Sequence, residues 1–215
     1  MASFGAKNPY FAKIKAEPDA ALPTYDGEPV KIGRLVKADL SLTMASGKLH
    51  ADDELAESAE EFISGSIAME TDDILDDVAK VIYGAEVKEK RVIYNTENNP
   101  PPGGLAYYKK LMRRGKIVFK GYYYPRVKAA LGNDTAQTKT DSITFGTNTT
   151  NFTVFAANNG DWRHTEEFDK EADALAWVKA QLSPPTVEET SGGEDDLSDT
   201  SDAGGFPAAA GPLKV

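Results

Sequence analysis

Alternation of apolar and polar side chains dominates this chain, and it predicts strands more often than helices. The pattern is densest over residues 103–128. There, residues 105–112 and 116–124 are rich in aromatic and β-branched side chains, and Arg114-Gly115 between them supplies a residue that tolerates positive φ, which predicts a β-hairpin. On its second strand Ile117, Phe119, Gly121 and Tyr123 share one face, while Val118, Lys120, Tyr122 and Tyr124 share the other. Neither face is purely polar, so the ribbon needs neighbours on both sides.

Before the hairpin, alternation predicts strands over residues 31–43, through Leu40 and Leu42, over residues 62–69, through Ile63, Gly65, Ile67 and Met69, and over residues 87–94. After it, residues 131–138 read as a polar turn, and residues 142–147, 151–156 and 162–168 as further strands. Residues 1–29 hold four prolines and few periodic apolar positions. They predict an extended arm, with at most a short strand near residues 10–14, of the kind that lies on a neighbouring molecule. Residues 45–61 are polar, acidic and poor in β-branched residues, and predict a long loop or a marginal helix; connections of that length are commonly functional.

Helical spacing is clearest over residues 71–84. Thr71 is placed to cap, Asp72 and Asp73 suit the positive N-terminus, Gly84 suits the C-terminus, and Ile74, Leu75, Val78 and Ile82 form the apolar stripe. In such a helix Asp72 stands one turn from Asp76 and Asp73 one turn from Asp77, a repulsion that a basic surface opposite would relieve. A second helix is predicted over residues 169–182, with Leu175, Val178 and Leu182 in a stripe beside Trp177; Pro184 and Pro185 end it. The whole reads as a mainly β protein with flanking helices, of the α+β class: one β-rich domain over residues 30–182, preceded by the arm and followed by a flexible acidic tail over residues 183–215, which has too few large apolar residues to offset its ordering entropy.

Charge sharpens the picture because of where it sits. Seven acids and one base lie from Ser183 onward, so most of the formal net charge of -10 belongs to the tail. In the body, Asp52 to Asp77 holds eleven acids and no base, whereas Lys109 to Lys128 holds eight bases and no acid. Two opposed patches suit an interface in which unlike surfaces meet.

Candidate chemistry changes little. The chain has no cysteine, which excludes disulfides, thiolate metal sites and cysteine nucleophiles. Its two histidines, His50 and His164, fit no zinc spacing. The DDxxDD cluster lacks the glycine and alternating oxygen ligands of a calcium loop. There is no phosphate-binding glycine loop and no nucleophile elbow. No catalytic, metal or cofactor site is expected. A signal peptide and a membrane span are not expected either.

Three stretches in this order, FISGSIAMETDDILDDVAKVIYG, GGLAYYKKLMRRGKIVFKGYYYPRV and KTDSITFGTNTTNFTVFAANNGDWRHTEEFDKEADALAWVKAQL, carry a resemblance. From about Asn8 to Leu182 the chain resembles the major tail protein, or tail tube protein, of long-tailed bacteriophages, in particular those of Gram-positive bacteria. The resemblance implies a β-sandwich or small barrel flanked by a helix, and hexameric rings stacked into a tube that conducts DNA at ejection. It also implies tape-measure, tail terminator and distal tail proteins as partners, a place in the virion tail after assembly in the host cytoplasm, and no enzymatic activity or cofactor. In that family the region between the second and third strands reaches into the next ring, a position filled here by residues 45–61.

Candidate contact residues between subunits are therefore Lys48, His50, Asp52, Asp53, Glu54 and Glu57 of that region, Asp72, Asp73, Asp76 and Asp77 of the first helix, and Lys109, Lys110, Arg113, Arg114 and Lys116 of the hairpin. DNA passing through a bore should meet few free cations, so the bases of residues 109–128 are expected to turn away from it or to pair with carboxylates. Two alternatives stay open at this stage: a single-stranded nucleic-acid binding module using the basic aromatic hairpin, and a carbohydrate-binding sandwich on a virion surface.

Overall fold

The structure, a computed structural model, describes residues 2–51, 54–88, 91–134 and 146–183. Within them the protein is mainly β, with two helices. The strands are β1 (Ala2–Ala16), β2 (Thr24–Lys31), β3 (Leu35–Ala51), β4 (Glu54–Thr71), β5 (Glu86–Lys88), β6 (Arg91–Ile93), β7 (Pro102–Arg113), β8 (Lys116–Asp134), β9 (Asn148–Phe155) and β10 (His164–Phe168); the helices are α1 (Asp76–Tyr83) and α2 (Glu171–Leu182).

All strands except β5 and β6 belong to one antiparallel sheet, seven of them in the order β2-β1-β7-β8-β9-β4-β3 and β10 joined beside β8 off that path. β8 is its spine. One edge pairs with β7, and the other pairs first with β10, at Phe119–Tyr123, and then with β9 from Arg126 onward. The sheet is curled. Phe11 on β1 and Phe152 on β9 lie three strands apart, roughly 14 Å in a flat sheet, yet their ring centroids are 6.2 Å apart. Curling puts Phe11, Ile67, Met69, Leu105, Tyr107, Val127, Phe152 and Val154 into one inner core, which α1 closes with Val78, Ala79, Ile82 and Tyr83. Hydrogen bonding thus runs through one bent sheet and not through two separate facing ones.

The outer face of the same sheet carries α2. Ala174, Val178 and Leu182 pack there against Ala12, Tyr25, Ala106, Tyr108, Phe119 and Tyr123. Gly121 makes the close approach possible, since a Cβ on it would stand 2.6 Å from the Trp177 ring. The hairpin turn matches the sequence expectation: Arg114 and Gly115 have φ of 47° and 78°, the pair of positive values that a two-residue turn between twisted strands requires.

Several expectations need correction. Residues 1–29 are not an arm lying elsewhere: β1 sits inside the sheet between β2 and β7, with Phe11 and Ala12 buried. The prolines are accommodated locally. Pro9 falls in a register shift between Lys7 and Tyr10, where its missing N–H is harmless, and Pro29 lies on the edge strand β2. Residues 45–51 and 54–61 are neither loop nor helix but the outer halves of β3 and β4, paired down to Ala51 and Glu54.

The first helix is shorter than expected. Thr71 ends β4 and caps nothing, Leu75 precedes the helix in an extended conformation, and Leu75 is exposed while Ala79 and Tyr83 are buried in its stead. Gly84 closes the helix in the left-handed region as expected. Residues 87–94 split into β5 and β6, a small separate hairpin. β8 continues as strand through Asp134, into the first part of the expected turn. The expected strand over residues 142–147 lies largely outside the described residues, and so does the tail after Ser183.

Candidate assembly surfaces

β3 and β4 pair along their whole length, but β9 covers β4 only from Gly65 to Thr71. From Ser64 back to Glu54 the second edge of β4 has no strand beside it among the described residues. Eleven residues at about 3.3 Å each carry this two-stranded ribbon roughly 36 Å beyond the sheet. Residues 41–48 and 58–61 are exposed on both faces of it. At its root Phe62 stacks on Trp162, with ring centroids 4.6 Å apart and planes 6° from parallel, and the Arg163 guanidinium lies 4.7 Å from the centre of the Trp162 ring.

The ribbon and the β7–β8 turn leave the sheet at the same end. Gly65 is opposite Val154, which is opposite Val127; eleven residues back from Gly65 is Glu54, and eleven back from Val127 is Lys116. One end of the molecule therefore carries both an acidic ribbon and a basic hairpin tip. The other end carries α1 and the last residues of β8.

On the ribbon, Lys48 is exposed opposite Ser58, and the backbones of His50, Glu54 and Glu57 pair with Leu55, Ala51 and Leu49. The side chains of those three lie outside what the structure describes, as do Asp52 and Asp53 entirely. Asp72 and Asp73 are not helical, so neither sits one turn from Asp76 or Asp77 on a shared face. Asp72 accepts from the Arg34 backbone N–H at 2.7 Å and from its neighbour Asp73 N–H at 2.9 Å, and the first of these, above all, holds its carboxyl below the usual range. Asp73 accepts from the Ile74 N–H at 2.8 Å. These two aspartates are spent on shaping the bend into α1, whereas Asp76 and Asp77 are exposed without a cation partner among the described residues.

Three of the eight hairpin bases pair with carboxylates of the same chain. Arg113 grips Glu167 with two bonds, at 2.6 and 2.7 Å, Lys120 reaches the same carboxylate at 3.7 Å, and Arg126 meets Glu17 at 2.9 Å. Lys109 lies over the Tyr107 and Tyr122 rings at 5.7 and 5.2 Å, and burial pushes its amine below the usual lysine range. Lys110 lies 5.4 Å over the Phe4 ring. Arg114 and Lys116 are exposed at the turn. Tyr107 and Tyr124 are buried against each other and Tyr107 also stacks on Tyr122, so this hairpin lacks the row of free aromatic faces that single-stranded nucleic acid stacks upon.

Sequence reasoning missed a second feature at the opposite end. A cavity of about 460 Å³ lies between α1, the segment after β6 and the ends of β8 and β9, lined among others by Tyr83, Tyr94, Leu131 and Phe155. Tyr94 stands edge-on to Tyr83 at 6.3 Å, and its phenol is raised by burial and by the nearby Asp76 carboxylate. No sequence pattern marks it, because its walls come from four separate stretches. Among the described residues no cluster of three or more His, Asp or Glu side chains is placed to hold a metal ion, and no described helix is long and apolar enough to cross a membrane. Compared with models of known protein families and with curated proteins, the chain matches none.

Proposed function

We propose that this chain is a structural subunit of a phage tail tube, assembling into hexameric rings that stack into a conduit for DNA. Its fold is then the tail-tube type of curled β sheet. Its partners are further copies of itself and the tape-measure, tail terminator and distal tail proteins, with phage DNA passing without specific binding. The β3–β4 ribbon is the observation that carries this reading. An isolated two-stranded ribbon is marginal in water, and this one has an edge left open over eleven residues among the described strands, with residues 41–48 and 58–61 exposed on both faces. Leu42, Met44 and Ile63 at its base are large apolar side chains left exposed. Such an element is stabilised by docking on another molecule, and the segregation of acids and bases suits a partner that is a second copy in a shifted position.

Electron microscopy of the purified protein tests this directly: rings or tubes are expected at high concentration. Deleting residues 47–59 should leave the circular dichroism spectrum of a folded β protein and abolish tubes, since among the described residues this segment hydrogen-bonds only within the β3–β4 ladder and β9 pairs with β4 only from Gly65 onward. Unimpaired tubes from the deletion would remove the ribbon from the interface.

A further inference from the structure

The two ends of β8 present unlike surfaces: an exposed apolar tip rimmed by bases, and a cavity beside the acidic first turn of α1 whose one charged lining residue, Lys128, donates to the Asn99 side chain at 2.7 Å. Where the strand begins, Met112 faces Ile117 across the β7–β8 hairpin, and Phe4 faces Lys110 across β1 and β7, so that Phe4, Met112 and Ile117 stand on one face of the tip. They are 43%, 45% and 45% exposed, an apolar knob rimmed by Lys110, Arg114 and Lys116. Fourteen residues on, roughly 45 Å along a straight strand, Leu131 forms part of the 460 Å³ cavity together with Tyr94 and Phe155. Leu131 and Tyr94 are themselves 60% and 52% exposed, and Asp76 and Asp77 of α1 stand on that side without cation partners among the described residues.

We propose that the β7–β8 tip of one copy seats in the cavity beside α1 of the next, so that copies add head to tail along β8. Knob on knob would oppose cations to cations, and cavity on cavity would leave both unfilled. Knob in cavity buries both apolar surfaces and sets Arg114 and Lys116 toward Asp76 and Asp77. Because the two surfaces differ and lie at opposite ends, the contact is heterologous and propagates from copy to copy into a ring or a filament instead of closing as a symmetric dimer. This rests on the reading that the chain assembles with itself, and it identifies which surfaces meet.

The absence of cysteine gives a clean test. Ile117→Cys protein mixed with Leu131→Cys or Tyr94→Cys protein is oxidised under mild conditions and the covalent dimers are counted, since a disulfide forms only when the Cα atoms come within about 7 Å. The mixture should yield several-fold more dimer than either variant alone. Ile117→Glu should raise the concentration needed for assembly roughly tenfold, the loss expected for one central apolar anchor, with the circular dichroism spectrum unchanged. Rings or tubes without mixed cross-links would overturn the knob and cavity contact while leaving self-assembly standing. Dimers dominated by the Ile117→Cys variant alone would replace it with a symmetric pair. Neither cross-links nor assembly at high concentration would overturn both readings.

Discussion

Glu171 shows how much a single side chain at the start of α2 ties together. Its Oε1 accepts from the Tyr108 hydroxyl at 2.7 Å and from Lys7 Nζ at 3.0 Å, joining α2 to β7 and β1, and Tyr108 accepts in turn from the Asn8 amide at 2.9 Å. The Tyr108 hydroxyl first, and then Lys7, hold the carboxyl below its usual value of 4.5. A carboxyl whose folded pKa is depressed contributes stability above its unfolded pKa and loses it as pH falls through the folded value. Glu171→Gln should therefore lower stability at pH 7, by less than about 1 kcal/mol because the pair is substantially exposed. The gap should close as pH falls well below 4.5. Urea titrations at the two pH values check this, and a gap independent of pH would show that the carboxylate charge is not what matters. Deeper in the same layer, the Tyr25 hydroxyl donates to the Pro125 carbonyl at 2.8 Å and meets the Tyr123 hydroxyl at 2.5 Å, while burial pushes the Tyr123 phenol up to about 12. Both phenols stay neutral across the physiological range, so this network locks β2 to β8 without responding to pH.

Among the elements, the β7–β8 hairpin was the most legible, because alternation, aromatic density and the Arg114-Gly115 turn all agree. Even so its turn is not optimal. Arg114 occupies positive φ at a cost that asparagine, with its local side-chain hydrogen bonding, largely avoids. Arg114→Asn should stabilise the monomer by about 0.5 kcal/mol, read as a higher urea midpoint with unchanged slope; a lower midpoint would mean that Arg114 makes contacts outweighing the strain. The β3–β4 ribbon was illegible for a physical reason. Alternation appears only where one face is buried and the other wet, and residues 45–48 and 58–61 are wet on both faces, so strand residues there carry a loop's composition. β1 was hidden differently: Pro9 within it and three prolines after it read as chain breaks, and only the register shift at Pro9 shows how a sheet absorbs one. Helix α1 kept its Gly84 stop but lost its Thr71 start, because pairing of Thr71 with Leu35 and Asn148 competes with capping and wins.

For the whole molecule, the separation of charge predicts how assembly responds to salt. Acids concentrate on the ribbon and the first turn of α1, and Arg114 and Lys116 at the β7–β8 turn have no carboxylate partner among the described residues, so the proposed contacts between copies would be assisted by long-range attraction that shrinks with the Debye length, from about 10 Å at 0.1 M to about 3 Å at 1 M. The concentration at which the protein assembles, followed by light scattering, should rise between those two salt concentrations. Assembly strengthened by salt would assign it to apolar burial alone. The mainly β class, the hairpin and its turn, α2, the absence of cysteine chemistry and the segregation of charge were determined by the residues in order, since each depends on neighbours a few positions apart or on composition. Tertiary structure alone decided that the sheet curls through one continuous path, that β1 lies within it, that residues 45–51 and 54–61 project as a ribbon, and that a cavity forms toward the far end of β8. Each of these depends on which distant strands pair and what they leave uncovered, and local periodicity holds no record of that.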